Sequence, residues 1–141
     1  MRQAFFAVII AILSSIHAVS AQGVDFGKTD YVRNCASCHG LDGKGNETLS
    51  KSFTTKPADL TKLSEVNKGV FPISRVYDLI DGRINVLAHG SRDMPVWGQK
   101  FKEEVITKMG RDSTLGPEWI EAMVRMRILS LVEYISTMQA K

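Results

Sequence analysis

Cysteine is scarce, with two in 141 residues. A disulfide-stapled mini-domain needs more, so that class is excluded. No block of one charge sign occurs. The 18 basic and 15 acidic residues are interspersed and leave a net +3. Without a basic stripe there is no electrostatic footprint for nucleic acid, and no such partner is expected. Proline (4) and glycine (11) are too few for a collagen-like or low-complexity chain. Alternating apolar–polar stretches of useful length are missing too, which removes the signal for strands. What remains, 44% hydrophobic and 23% charged residues, can bury a core and excludes a disordered chain. The length suits one domain, at roughly 100–200 residues each.

The one apolar run near the start, Ala4 to Leu13, follows Met1-Arg2-Gln3 and precedes a small-residue stretch ending Val19-Ser20-Ala21. It is well short of the about 20 residues that span a bilayer. Residues 1–21 are read as a signal peptide with Gln22 as the new N-terminus, and residues 22–141 as the working domain. An uncleaved membrane anchor is the alternative. The expected compartment is the periplasm, with no stable membrane insertion after cleavage.

The two cysteines fall in Cys35-Ala36-Ser37-Cys38-His39, a C-x-x-C-H. That spacing is the attachment sequence of c-type haem. Two sulfurs three residues apart on a helical turn face one edge of the porphyrin, and the histidine that follows lies under the iron as proximal ligand. Two other readings compete. A thioredoxin-type disulfide needs the pair between a strand and a helix, whereas Asp25 to Asn34 reads as a helix with Phe26, Tyr31 and Val32 as its apolar side. A zinc site needs four ligands, and beyond the motif only His89 and carboxylates are on offer.

Haem leaves a sixth iron position to fill. Methionine there raises the potential, histidine lowers it, and an open site gives ligand binding or peroxidase chemistry. Met123 and Met126 sit in a long helical pattern as core filler, Met109 closes a helix, and Met138 is near the C-terminus. Met94 lies in Gly90-Ser91-Arg92-Asp93-Met94-Pro95-Val96-Trp97-Gly98, where Pro95 holds the preceding residue extended. Met94 is the expected distal ligand, with His89 or an open site as alternatives.

Helical patterns surround these residues. The first, about Lys28 to Ala36, ends in the motif, and a loop with Gly40, Gly43 and Gly45 follows. A short turn or helix is expected near Thr61 to Glu65. After Pro72, Ile73, Val76, Tyr77 and Ile80 form an apolar stripe that stops at Asp81-Gly82. A further helix runs from about Gln99 to Met109, with Phe101, Val105 and Ile106 inward. The longest starts at Pro117, a favourable first position, and reaches about Thr137. The domain reads as all-α, with about four to five helices around one haem.

These residues together resemble class I c-type cytochromes, the small bacterial monohaem kind. The resemblance covers Asp25 to Met138. It rests on Tyr31, on Cys35-Ala36-Ser37-Cys38-His39-Gly40, on Asp42-Gly43 with Gly45, and on Pro57-Ala58-Asp59-Leu60. Further along it includes Met94-Pro95 with Trp97-Gly98, and Leu131-Val132-Glu133-Tyr134-Ile135. It implies the cytochrome c fold, in which Gly27 and Tyr31 of the first helix meet Leu131, Tyr134 and Ile135 of the last. It also implies a backbone carbonyl accepting a hydrogen bond from the proximal histidine, with Pro57 the candidate. Arg75, Arg83, Arg92 and the Trp97 indole are candidate propionate partners.

The expected function is electron transport, not catalysis. One covalently attached haem c, held by Cys35 and Cys38 with its iron between His39 and Met94, would pass single electrons between redox proteins. Partners would be membrane or periplasmic respiratory complexes, met by a monomer through a small interface. Lys44, Lys51 and Lys56 could form a positive rim for an acidic partner. A haem enzyme or gas sensor with an open sixth site, and a fixed haem subunit of a larger oxidoreductase, are the competing functions.

Overall fold

The computed structural model describes residues 24–46, 56–84, 94–109 and 116–140. The expected signal segment, Lys51, His89 and Arg92 lie outside them. Within them the chain is helical and no strand occurs. Helix α1 covers 24–34 and α2 covers Ala36–His39. A 3₁₀ turn at Leu60–Lys62 leads into α3, Leu63–Val66. Helix α4 is Ile73–Asp81, α5 is Trp97–Met109 and α6 is Pro117–Thr137. Among the described residues no helix is long and apolar enough to cross a membrane.

Local chemistry sets these limits. Pro117 opens α6, where its missing N–H costs nothing. Gly82 ends α4 at φ +88°, a left-handed conformation open to glycine at no steric cost. Asp59 caps the 3₁₀ turn by accepting a hydrogen bond from the Thr61 amide at 2.9 Å. The expected single helix to Ala36 is two, because the chain turns at Cys35 before re-entering helix.

Helices α4, α5 and α6 pack on one another. They share a core with α1 that includes Tyr31, Val76, Ile80, Phe101, Ile128 and Leu131. Gly27 lets α1 cross α6 closely: a Cβ there would lie 2.9 Å from Tyr134 Cβ and inside contact of the Ser130 carbonyl. Beside the crossing, the Tyr31 and Tyr134 rings stand 5.3 Å apart. The expected meeting of the first and last helices is thus present, centred on Ser130 and Tyr134.

Arg127 ties three helices together. From α6 its Nε and Nη2 donate to the two carboxylate oxygens of Asp30 on α1, each at 2.9 Å. Nη1 donates to Glu104 on α5, also at 2.9 Å, and the guanidinium lies 4.0 Å from the Phe101 ring centroid.

Several expected core positions face outward instead. Phe26 is 71% and Val32 49% exposed, because α1 packs through its Gly27–Tyr31 side and leaves the opposite side to solvent. Met126 is 54% exposed on the outer face of α6, not core filler. Ile73 and Ile106 are exposed as well, whereas Val76, Ile80, Phe101 and Val105 point inward.

Candidate functional site

The C-x-x-C-H segment lies between α1 and a loop that folds back over it. A four-residue helix leaves most of its carbonyls without helical partners, and here residues 40–46 supply the donors. The Gly40 amide donates to the Ala36 carbonyl at 2.9 Å, the Gly45 amide to that of His39 at 2.7 Å, and the Asn46 amide to that of Cys38 at 2.9 Å. Asn46 Nδ2 donates to the Ser37 carbonyl at 3.1 Å. From the other side, the buried Tyr31 hydroxyl donates to the Gly40 carbonyl at 2.7 Å. Burial pushes the Tyr31 pKa above its ordinary value, with charges at Cys35, Tyr134 and Asp42 acting in the same direction, so the hydroxyl stays a donor.

Glycine is required in this loop. Gly40, Gly43 and Gly45 all have positive φ, and a Cβ on Gly43 would come 2.9 Å from Met138 Cε. Loop and 3₁₀ turn are joined by the Leu60 amide donating to the Gly43 carbonyl at 2.7 Å. The turn is anchored in turn to the chain's last residues. Gln139 Nε2 donates to the Leu60 carbonyl at 2.7 Å, and the Ala140 amide to the Thr61 carbonyl at 2.8 Å.

That scaffold fixes the imidazole. His39 Nδ1–H donates to the Ala58 carbonyl at 3.0 Å. The acceptor is one residue beyond the expected Pro57, because Asp59 caps the turn immediately after and aims the Ala58 carbonyl at the ring. With Nδ1 protonated, the lone pair is on Nε2. Burial holds the His39 pKa below its ordinary value, with the Ala58 bond opposing, so the ring stays neutral. A neutral, singly oriented imidazole is what metal ligation requires.

Cys35 and Cys38 are free thiols, both half-buried. Burial, reinforced by Asp30 and Cys38 and opposed by Lys100, pushes the Cys35 thiol up to about 12. Cys35 and Met94 are both partly buried against the same hydrophobic core, along with Leu60, Leu63, Phe71 and Tyr77. Two free thiols three residues apart, a neutral imidazole with its lone pair free and a half-covered apolar wall fit a covalently attached haem.

Among the described residues the fold does not provide what a disulfide or a zinc site needs. The pair follows a helix, with no strand among the described residues, so a thioredoxin-type arrangement is not formed. Nor do three or more His, Cys, Asp or Glu side chains converge on a cation site among those residues.

Of the expected propionate partners, Arg83 is paired with Asp81 and lies 5.9 Å from the Tyr77 ring centroid. Arg75 is exposed, and Trp97 is buried beside Phe101 with Lys100 Nζ 4.5 Å from its ring centroid. Lys44 and Lys56 are exposed. Sequence reasoning overlooked the bonding roles of Asn46 and Ala58. An asparagine directly after the last turn glycine is a usable signal for a side chain bonding to nearby main chain. A backbone carbonyl such as that of Ala58 carries no residue-type signal at all.

The helical fold and the motif cradle define a c-type cytochrome domain. A family model described as cytochrome c oxidase, cbb3-type, subunit III matches residues 22–111, and the chain belongs to that family. Membership brings covalently bound haem c with its iron, a role in electron transfer and redox-protein partners. No curated protein and no solved structure matched.

Proposed function

We propose that this chain is an exported monohaem electron carrier in which Cys35 and Cys38 bear the haem, His39 is the proximal ligand and Met94 the distal one. The observation that carries the reading is the His39–Ala58 hydrogen bond, which sets the ring for ligation through Nε2. Haem iron held here would supply reversible one-electron chemistry, and ligation by the Met94 sulfur would raise its potential. The residues around it hold rather than react. Tyr31, Gly45 and Asn46 fix the motif, and Ala58 strengthens the basicity of His39. Exposed Lys44 and Lys56 would meet an acidic partner through a small, quickly released interface. Cleavage after Ala21 would free the domain in the periplasm, as a monomer.

The test is the visible spectrum of the haem-loaded protein, oxidised and reduced, with and without carbon monoxide. A far-red methionine-to-iron band that Met94→Ala abolishes, with no carbon monoxide shift in the parent, is expected. A parent that lacks the band and binds carbon monoxide has an open sixth site, and the carrier reading fails. A second reading is favoured by the family description, which names an oxidase subunit: the domain is a fixed haem subunit of a larger oxidoreductase. Stable co-purification with other chains would select it over a free shuttle.

A further inference from the structure

The segment that follows Met94 is pressed against the end of α4 at two places. Gly82 ends α4, and a Cβ on it would lie 2.5 Å from Val96 Cγ1. Gly98 is the second residue of α5. A Cβ there would lie 2.8 Å from the Asp81 carbonyl oxygen and closer still to the Asp81 carboxylate. The end of α4 and the start of α5 therefore meet with no side chain between their backbones at Gly98. The Asp81 side chain is only 16% exposed and its carboxylate is paired with Arg83 Nε. Its carboxylate lies at the N-terminal end of α5, where the first-turn amides have no helical partners and negative charge is favoured. Met94 stands two residues ahead of Val96, and Pro95 between them has a fixed φ.

We infer that Asp81 is a positioning residue for Met94, clamping the start of α5 through Gly98 while Gly82 receives Val96, so that the sulfur is held from one side by a rigid joint. The inference rests on the proposed ligation by Met94. A loosened joint leaves the fold intact and lets the sulfur leave the iron more readily, so a competing ligand gains.

Imidazole titration of the oxidised, haem-loaded protein, followed at the far-red band, tests this. Asp81→Ala and Gly98→Ala are each expected to raise imidazole affinity about tenfold, equivalent to about 1.4 kcal/mol. Asp81→Asn, which keeps the shape but loses the charge, falls between them and the parent. It serves also where Gly98→Ala does not load haem. Glu121→Gln breaks the Lys102–Glu121 pair between α5 and α6 and should leave imidazole affinity at the parental value. Unchanged affinity in the Asp81 variants, or an equal rise in Glu121→Gln, overturns the clamp while the ligand assignment stands. A parent without the band, or a Met94→Ala variant that keeps it, overturns both.

Discussion

The frame of α1, α5 and α6 and the motif cradle are held by different means. The frame is joined by buried side chains far apart in sequence: Tyr31 against Tyr134, Phe101, Ile128 and Leu131, and Arg127 bridging Asp30 and Glu104. The cradle is joined mainly by backbone amides and carbonyls within a short stretch, and its cysteines and His39 are only partly buried. The difference separates two kinds of fragility. The frame is sensitive to lost volume, because close packing leaves a cavity where an atom is removed. The cradle is sensitive to lost donors and to added Cβ atoms, because its geometry comes from hydrogen bonds and from glycines with positive φ.

The largest effect should come from the frame. Leu131→Ala removes a fully buried side chain and is expected to cost about 3 kcal/mol in denaturant unfolding of the haem-loaded protein. The far-red band should persist in that variant, and its loss would mean that the frame also sets the site. Arg127→Met comes next. It strands Asp30 and Glu104 and should cost about 2 kcal/mol, with weak dependence on salt because the Asp30 pair is largely shielded from solvent. A strong salt effect would count against that shielding. Tyr31→Phe touches both regions: it keeps the ring packing but removes the donor to Gly40, for about 1 kcal/mol. A red-shifted or less fully haem-loaded protein would show that this hydroxyl orients the motif, and an unchanged one that it only adds stability.

The smallest effect is acid-dependent. The Thr61 hydroxyl and amide hold the Asp59 carboxyl below its ordinary value, which is about 4. A lowered folded-state value means stability that is present above the ordinary one and lost as pH falls through the lowered one. Asp59→Asn should therefore be slightly less stable than the parent at neutral pH. The gap should close below about pH 4, as read by thermal melts across pH. A gap that stays constant down to low pH would show that the charge plays no part.

Much of this comparison was legible in the chain. Pro117, Pro72 and Gly82 mark helix limits that the structure keeps, since proline and glycine act on the backbone regardless of context. The C-x-x-C-H pointed to the motif, and the resemblance to class I c-type cytochromes implied the helix crossing at Gly27, Tyr31 and Tyr134. Outward Phe26, Val32 and Met126 were not legible, because periodicity gives a face and not which neighbour covers it. The Arg127 bridge was equally hidden: its partner Asp30 is 97 residues away and neither residue has a local signal. Ala58 replaced Pro57 as the acceptor because a carbonyl's aim depends on the turn after it, not on its side chain.

The bond from His39 to Ala58 closes a chain loop of 19 residues, whereas that from Arg127 to Asp30 closes one of 97. On loop-closure entropy alone the longer one costs about 1.4 kcal/mol more. Apart from the Gln139 and Ala140 contacts that brace the 3₁₀ turn, every hydrogen-bonding residue of the cradle lies ahead of α4, α5 and α6 in the chain. The cradle is therefore expected to close first, with the groups that take the cofactor arranged while the core that will enclose it is still open. Pulsed hydrogen exchange during refolding reads that order, with the Gly45, Asn46 and Leu60 amides expected to gain protection ahead of those in α6. Simultaneous protection would mean that the two regions form as one unit.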